Sequence, residues 1–496
     1  MTNPLRGLLK DTAIYGLSTV LGKFLNWMLT FLYVRILIPE TFGTMTNLYA
    51  WVALLLIVLT MGMETSFFRF VNKHSEPMSV YATALRTLGG SSLIFVLLGL
   101  IFTPTLCQYL HIEGQEYQLW ILLLIIALDT FCTIPLAYLR YAQRPWRFLM
   151  VRMSFIGLTI LLTLAVFWGL SALGVESWAA IAREYALGFI LGINLIGNIV
   201  QLLLLIPTLP KGEGRMDWGL LGQMLRYSWP LLLLGLVGSF NNQADKILFP
   251  MLFDDVAEGR HQLGIYSACY KIAVVMVLFT QAFRYAYDPF VFAQTKNNPE
   301  KSREIYALSM RYYVLFTLFI FLIVESFIDI FRLLIAPAYY DGLVVVPWIM
   351  GGQLMFGVYF NLSIWYKLTD KTYWGAILSV VGCSISVLII VFGARTYGFM
   401  ACAWASVVSN AAIMFLSYSL GQRYFPIDYR LARLSGYVLL AGALWAAEWL
   451  VGEALAISGW RSWGFNTLMC GIFVLVVYFL EVRPLLLWRR GTISNA

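Results

Sequence analysis

Ionisable side chains set inside long apolar runs are the positions of greatest chemical interest, because a charge there is costly unless it meets a partner or a polar cavity. Lys23, Asp129, Asp245, Lys246, Lys271, Arg284 and Asp288 stand in such runs, as do Arg152, Glu325, Asp329 and Glu448. Lys23 is about 12 residues into its run, or roughly 18 Å along a helix, close to a bilayer midplane. Lys246 lies nearer the end of its run, and Arg284 about 20 residues into another. Arg284 and Asp288, spaced i, i+4, can pair on one helix face, either as a structural couple or as part of a site. Lys246 follows Asp245 directly, and adjacent residues diverge around a helix, so the two are not expected to pair. If Lys23, Lys246, Lys271 and Arg284 face one cavity, its interior is cationic and its ligand an anion. A phosphate or pyrophosphate group fits such a cavity, whereas a cationic drug is repelled. Asn26, Asn241, Asn242 and Gln281 can add neutral hydrogen bonds, and Trp27 either stacks on a ligand ring or simply packs. Asp129, Asp245 and Asp288 are the candidates for coupling to a cation. Glu325, Asp329 and Glu448 are expected near helix ends or satisfied locally.

The elements that carry these residues are apolar stretches long enough to cross a bilayer, which takes about 20 residues. They span 12–35, 42–64, 88–109, 118–139, 148–171, 185–206, 228–250, 264–292, 308–331, 343–366, 373–394, 398–421, 432–451 and 463–482. A chain that is 60% hydrophobic and 12% charged cannot bury so many such runs in a water-soluble core. The expected class is therefore an all-α integral membrane protein with about 14 transmembrane helices. The N-terminal region, with Arg6, Lys10 and then an apolar run holding Lys23, reads as a retained span rather than a cleaved signal peptide.

Basic residues set the orientation. With the joints numbered alternately, about two thirds of the 34 Lys and Arg fall on the side of the termini. The opposite side has only Arg35, Arg183, Arg260, Arg332, Arg395 and Arg461. Both termini are expected in the cytoplasm. The net charge of +8 is spread over membrane ends, which argues for lipid headgroups as neighbours and against nucleic acid. Six dispersed cysteines without a CxxC, and three unclustered histidines, point to free thiols and to no metal or other cofactor.

Six spans precede a helix-breaking segment with Pro207, Pro210, Gly212 and Gly214. The expected organisation is a six-helix lobe over 1–210, a second over 211–425, and a terminal helix pair with tail over 426–496. A faint internal echo supports the halves: FGTMTNLYAW (42–51) and LGIYSACYKI (263–272) each place a Tyr six residues after a Gly. Paired halves with a substrate path between them are a common build of secondary transporters. Glycine pairs at 89 and 90, 188 and 192, and 351 and 352 read as sites of close helix packing.

The run YGLSTVLGKFLNWMLTFLYVRILIPETFGTMTNLYAW, with its R-I-L-x-P-E-x-F-G pattern from Arg35 to Gly43, resembles the opening of bacterial polysaccharide-export flippases. These form the Wzx-type branch of the MOP superfamily. GMETSFFRF (62–70), GIYSACYKIA (264–273) and AFRYAYDPFVFAQ (282–294) are similar to further segments of that family. The resemblance implies two six-helix lobes around a V-shaped cavity in the bacterial inner membrane. It also implies export of undecaprenyl-pyrophosphate-linked oligosaccharide for cell-surface polysaccharide, with other polysaccharide-assembly proteins as partners. Related lipid II flippases carry basic residues in the first and eighth spans, and Lys23, Lys271 and Arg284 match these by position. Lys23 stands where an arginine is expected, which replaces a bidentate phosphate contact with a point charge. The last two spans form a groove for the lipid tail by the same analogy.

Two other classes compete. A MATE-like cation-coupled drug antiporter requires unpaired membrane carboxylates, for which Asp129 and Asp245 are available. A membrane polymerase or ligase requires a large outer loop with catalytic side chains, whereas the outer joints are short. The most charged, FDDVAEGRH (253–261), reads as a solvated turn.

Overall fold

The computed structural model describes residues 21–210, 216–294, 299–454 and 460–483, with backbone alone at 285–286, 288–294, 299–301, 452–454 and 460–462. Helix dominates throughout, as it must where lipid offers no hydrogen bonds to the backbone. Thirteen helices among the described residues are long and apolar enough to cross a membrane, from Pro39–Val71 to Trp463–Val482. A further helix covers 21–36, and the rest of the expected first span (12–20) lies outside the described residues. The count of about 14 is consistent with this. Span Tyr373–Tyr397 shows the effect of the solvent: it is strongly apolar, yet only 17% of its membrane window is buried. Phe392 and Leu388 on that span stand exposed, an arrangement suited to lipid.

Local signals start and break the helices as their chemistry requires. Pro39, Pro77 and Pro145 each open a helix, where the missing N–H costs nothing. Asp217 caps the helix Trp218–Leu248 by accepting from the Leu220 amide at 3.0 Å. The second span is broken by left-handed backbone at Met61 (φ 48°) and Gly62 (φ 64°), which divides Pro39–Thr60 from Met63–Val71.

The chain divides into two compact units, Met1–Gly264 and Ile265–Ala496. In the first, Met63, Phe67, Tyr81, Leu88, Ile134 and Met224 form a core. Tyr81 stacks on Tyr138 at 4.4 Å and donates to the Thr208 carbonyl. Within the same unit Gly43 and Gly264 face each other. A Cβ on Gly43 would overlap the Arg260 carbonyl and lie 2.9 Å from the Gly264 nitrogen; one on Gly264 would overlap the Pro39 carbonyl. The two glycines of the sequence echo are therefore a single backbone-on-backbone crossing, which only glycine permits.

The second unit is built around Tyr306, Met310, Tyr313, Leu322, Tyr437 and Phe473. Its last span ends in a π-helical turn, Tyr478–Val482, that carries the buried Glu481. Arg311 meets that carboxylate at 2.8 Å, Tyr437 donates to it at 2.5 Å, and Arg433 approaches to 3.7 Å. This network pins the last two spans to the ninth. Of the three glycine pairs, Gly89, Gly188 and Gly352 meet a neighbouring side chain or backbone, while Gly90, Gly192 and Gly351 face open space.

Candidate functional site

The expected site residues divide between the units. In the first, Lys23 and Asn26 are exposed on the helix 21–36, three residues apart and so on one face. Trp27 packs edge-on to Phe31 at 5.0 Å and tilted to Phe24 at 5.6 Å, as the packing reading expects. Asn242 is exposed, with its amide donating to the Gly238 carbonyl of its own helix at 3.0 Å. Lys246 corrects the expectation drawn from helix geometry. Its Nζ lies 3.0 Å from Asp245 Oδ1 and also donates to the Asn242 carbonyl at 3.2 Å. A four-carbon stem is long enough to curl back to its neighbour, so adjacency does not keep the charges apart. The Lys246 carbonyl in turn accepts from Asn47 at 2.7 Å, tying the second span to the seventh.

In the second unit, Lys271 is half-buried and Arg284 exposed. The Arg284 guanidinium lies 4.5 Å from the centre of the Phe360 ring, and Lys367 Nζ approaches the same ring at 4.4 Å. The ring faces attract both cations. The Asp288 side chain lies outside the described residues, so its expected pairing with Arg284 falls there too. Glu448 is not satisfied locally. It is buried and accepts from Ser326, 122 residues away, at 2.7 Å. Ser326 also accepts from Asn466 through its carbonyl, so three helices meet at this point.

Asp129 lines a cavity of about 310 Å³ within the first unit, together with Thr60, Gly62, Glu64, Thr133, Arg152 and Gln201. The broken second span opens this space at Gly62. Glu64 is paired with Arg140 at 2.5 Å. Arg152 acts on Asp129 electrostatically, but among the described residues the Asp129 carboxylate has no hydrogen bond and no ion pair within 4 Å. Gln201 is 1% exposed, and its Oε1 accepts no hydrogen bond among the described residues. A search for charges passes over such a residue, because a neutral amide leaves no mark on hydropathy.

These features define a multi-pass helical membrane protein with polar and charged groups held inside its helix bundles. Its fold is similar to that of the lipid II flippase MurJ in an inward closed conformation, with TM-score 0.71 and 13% identity over 94% of this chain and 99% of that one. It is also similar to an inward-facing multidrug resistance MATE transporter of the MOP superfamily, with TM-score 0.61 and 12% identity over 84% of this chain and 96% of that one. A MATE protein in the straight conformation matches with TM-score 0.54 and 13% identity, covering 88% and 97%. No curated protein sequence matches. The profile of the polysaccharide biosynthesis protein family matches residues 8–285, more than half of the chain. The chain belongs to that family.

Proposed function

We propose that the protein is a flippase that carries undecaprenyl-pyrophosphate-linked oligosaccharide from the cytoplasmic to the outer leaflet of the bacterial inner membrane, for cell-surface polysaccharide. Membership of the polysaccharide biosynthesis family, in a chain with the fold of a lipid II flippase, carries this reading. The proposed organisation is a lobe over 1–210, a second over 211–425 and a helix pair over 426–496, with both termini cytoplasmic. Lys23, Lys271 and Arg284 hold the anionic headgroup, aided by Asn26 and Asn242. Lys246, balanced by Asp245, contributes less. With the cytoplasm negative, each headgroup charge moving outward gains about 2.3 kcal/mol per 100 mV, which favours export. Other polysaccharide-assembly proteins would take up the exported lipid. The test is leaflet-resolved accumulation of lipid-linked glycan with intact protein and with Lys23→Ala. Translocation should need the protein and fall at least tenfold in the variant at equal expression. Glycan reaching the outer leaflet without the protein would overturn the reading.

One observation favours a cation-coupled variant of this activity, or the antiporter reading: Asp129 lines a cavity and has no ion-pair partner within 4 Å among the described residues. In proteoliposomes, Asp129→Asn should then abolish the stimulation of transport by an imposed proton or sodium gradient while leaving gradient-free transport intact. Unchanged stimulation removes Asp129 from the coupling path.

A further inference from the structure

A second cavity of the first unit, about 570 Å³, is not formed by any of the expected site residues. It is lined by the joints between spans: Glu40, His111 to Gln115 with Tyr117 and Gln118, Arg183 to Leu187, and Arg260. These are the four joints of this unit that alternate numbering assigns to the side opposite the termini. Arg260 builds the wall, because its guanidinium donates to the His111 carbonyl at 2.9 Å and to that of Leu110. That clamp holds the joint after the third span, where His111 (φ 47°) and Gly114 (φ 78°) turn left-handed. Gln118 supplies the independent sign of a ligand. It lines the cavity and is 3% exposed; its Nε2 donates to Gln115 at 2.6 Å, yet its Oε1 accepts nothing among the described residues. A buried amide oxygen left without a donor is costly, and a ligand hydroxyl would satisfy it.

We infer that this cavity is a carbohydrate-binding site on the outer face, which receives sugar rings of the translocated glycan. The inference rests on the flippase reading above. Three carboxylates (Glu40, Glu113, Glu184) and two guanidiniums (Arg183, Arg260) nearly balance, so the lining selects a neutral ligand rich in both donors and acceptors. The carboxylates accept from hydroxyls, the guanidiniums donate to them and the amides do both, and Tyr117 and Tyr185 offer ring faces to a pyranose. The volume lies within the 300–1,000 Å³ range of small-molecule sites and holds about two sugar rings. The location suits a step after translocation, when the headgroup has crossed and the sugars need a polar harbour before release.

The experiment uses the full chain in intact cells. Glu184 is exposed, so Glu184→Cys keeps the fold and offers a thiol at the cavity mouth. Its labelling by a membrane-impermeant maleimide is timed in cells that make the lipid-linked glycan and in cells blocked in its first sugar transfer. Labelling from outside should occur, and should be at least threefold slower when glycan is made. Adding Gln118→Leu should remove that protection, with thermal melting of the purified variant confirming the fold. Equal labelling in both strains, with translocation still dependent on the protein, overturns the sugar site and leaves the flippase reading in place. No labelling from outside overturns the assigned face. Protection by millimolar calcium but not by glycan replaces the sugar with a cation and overturns the inference. Glycan crossing without the protein overturns the flippase reading, and the site as stated with it.

Discussion

Removing the Glu481 carboxylate tests how the last two spans are held. Glu481 and Arg311 have side chains only 5% and 12% exposed, and their contact is 2.8 Å. Glu481→Ala leaves the Arg311 guanidinium buried without its counter-charge, and also strips Tyr437 of its acceptor. Breaking a buried pair from one side costs about 3–5 kcal/mol. Glu481→Gln keeps the shape and an acceptor oxygen, and loses only the charge-assisted part, about 1.5–3 kcal/mol. Replacing both partners by apolar groups, Arg311→Met with Glu481→Leu, removes the desolvation penalty along with the attraction and should return stability to within about 1–2 kcal/mol of the parent. Arg433, 40% exposed and 3.7 Å from the carboxylate, can turn to the headgroups and adds little. The assay is unfolding by SDS titration in mixed micelles, with the parent, Arg311→Met, Glu481→Leu and the double variant forming a double-mutant cycle. A strongly non-additive cycle is expected. Costs that simply add would refute the claim that this pair acts as one buried unit.

Further outcomes follow from the packing and the thiols. Gly43→Ala, and equally Gly264→Ala, forces the backbones at their crossing apart and should cost about 1–3 kcal/mol or more, read as lost yield of monodisperse protein. Gly90→Ala, which meets open space, is the control and should be silent. Parent-like yield from both crossing variants would show that the two helices are not in contact there. Cys107 is buried, at 2% exposed, so an alkylating reagent has poor access to its thiol. Its alkylation at pH 8 should be at least tenfold slower than that of a free thiol and should rise as pH increases. Labelling at the free-thiol rate at pH 8 would show that the helix Thr103–Tyr109 does not bury it.

The spans were legible because hydropathy acts over some twenty residues and lipid leaves the backbone no alternative to helix. Each of the thirteen described spans overlaps one of the apolar runs, but several bounds shift, as at Pro77–Ile101 against 88–109 and Trp218–Leu252 against 228–250, because a helix runs on through polar turns that hydropathy leaves out. The break at Met61 and Gly62 was not legible, since one glycine inside an apolar run has no single structural meaning. Charge placement was read poorly for partners. Lys246 found Asp245 through the length of its side chain, and Glu448 found Ser326 through a helix crossing that no spacing rule encodes. The amides Gln118 and Gln201 were missed because they carry no charge, although burial makes them as demanding as charges. The cavity that Gln118 lines escaped notice for another reason. Each joint is short and polar, and reads as a solvated turn until the fold brings four of them together.

The site of Glu481 also bears on how the chain is made. A ribosome feeding the membrane delivers the ninth and thirteenth spans, with Arg311 and Tyr437, before the last span emerges. An apolar helix carrying a carboxylate is a poor passenger for release into lipid. Here its partners are already waiting when it arrives. The last span thereby reports on the ninth and thirteenth: a chain with a missing or inverted ninth span lacks the buried guanidinium that seats that carboxylate. Its unseated end would be the mark by which quality control could recognise the fault.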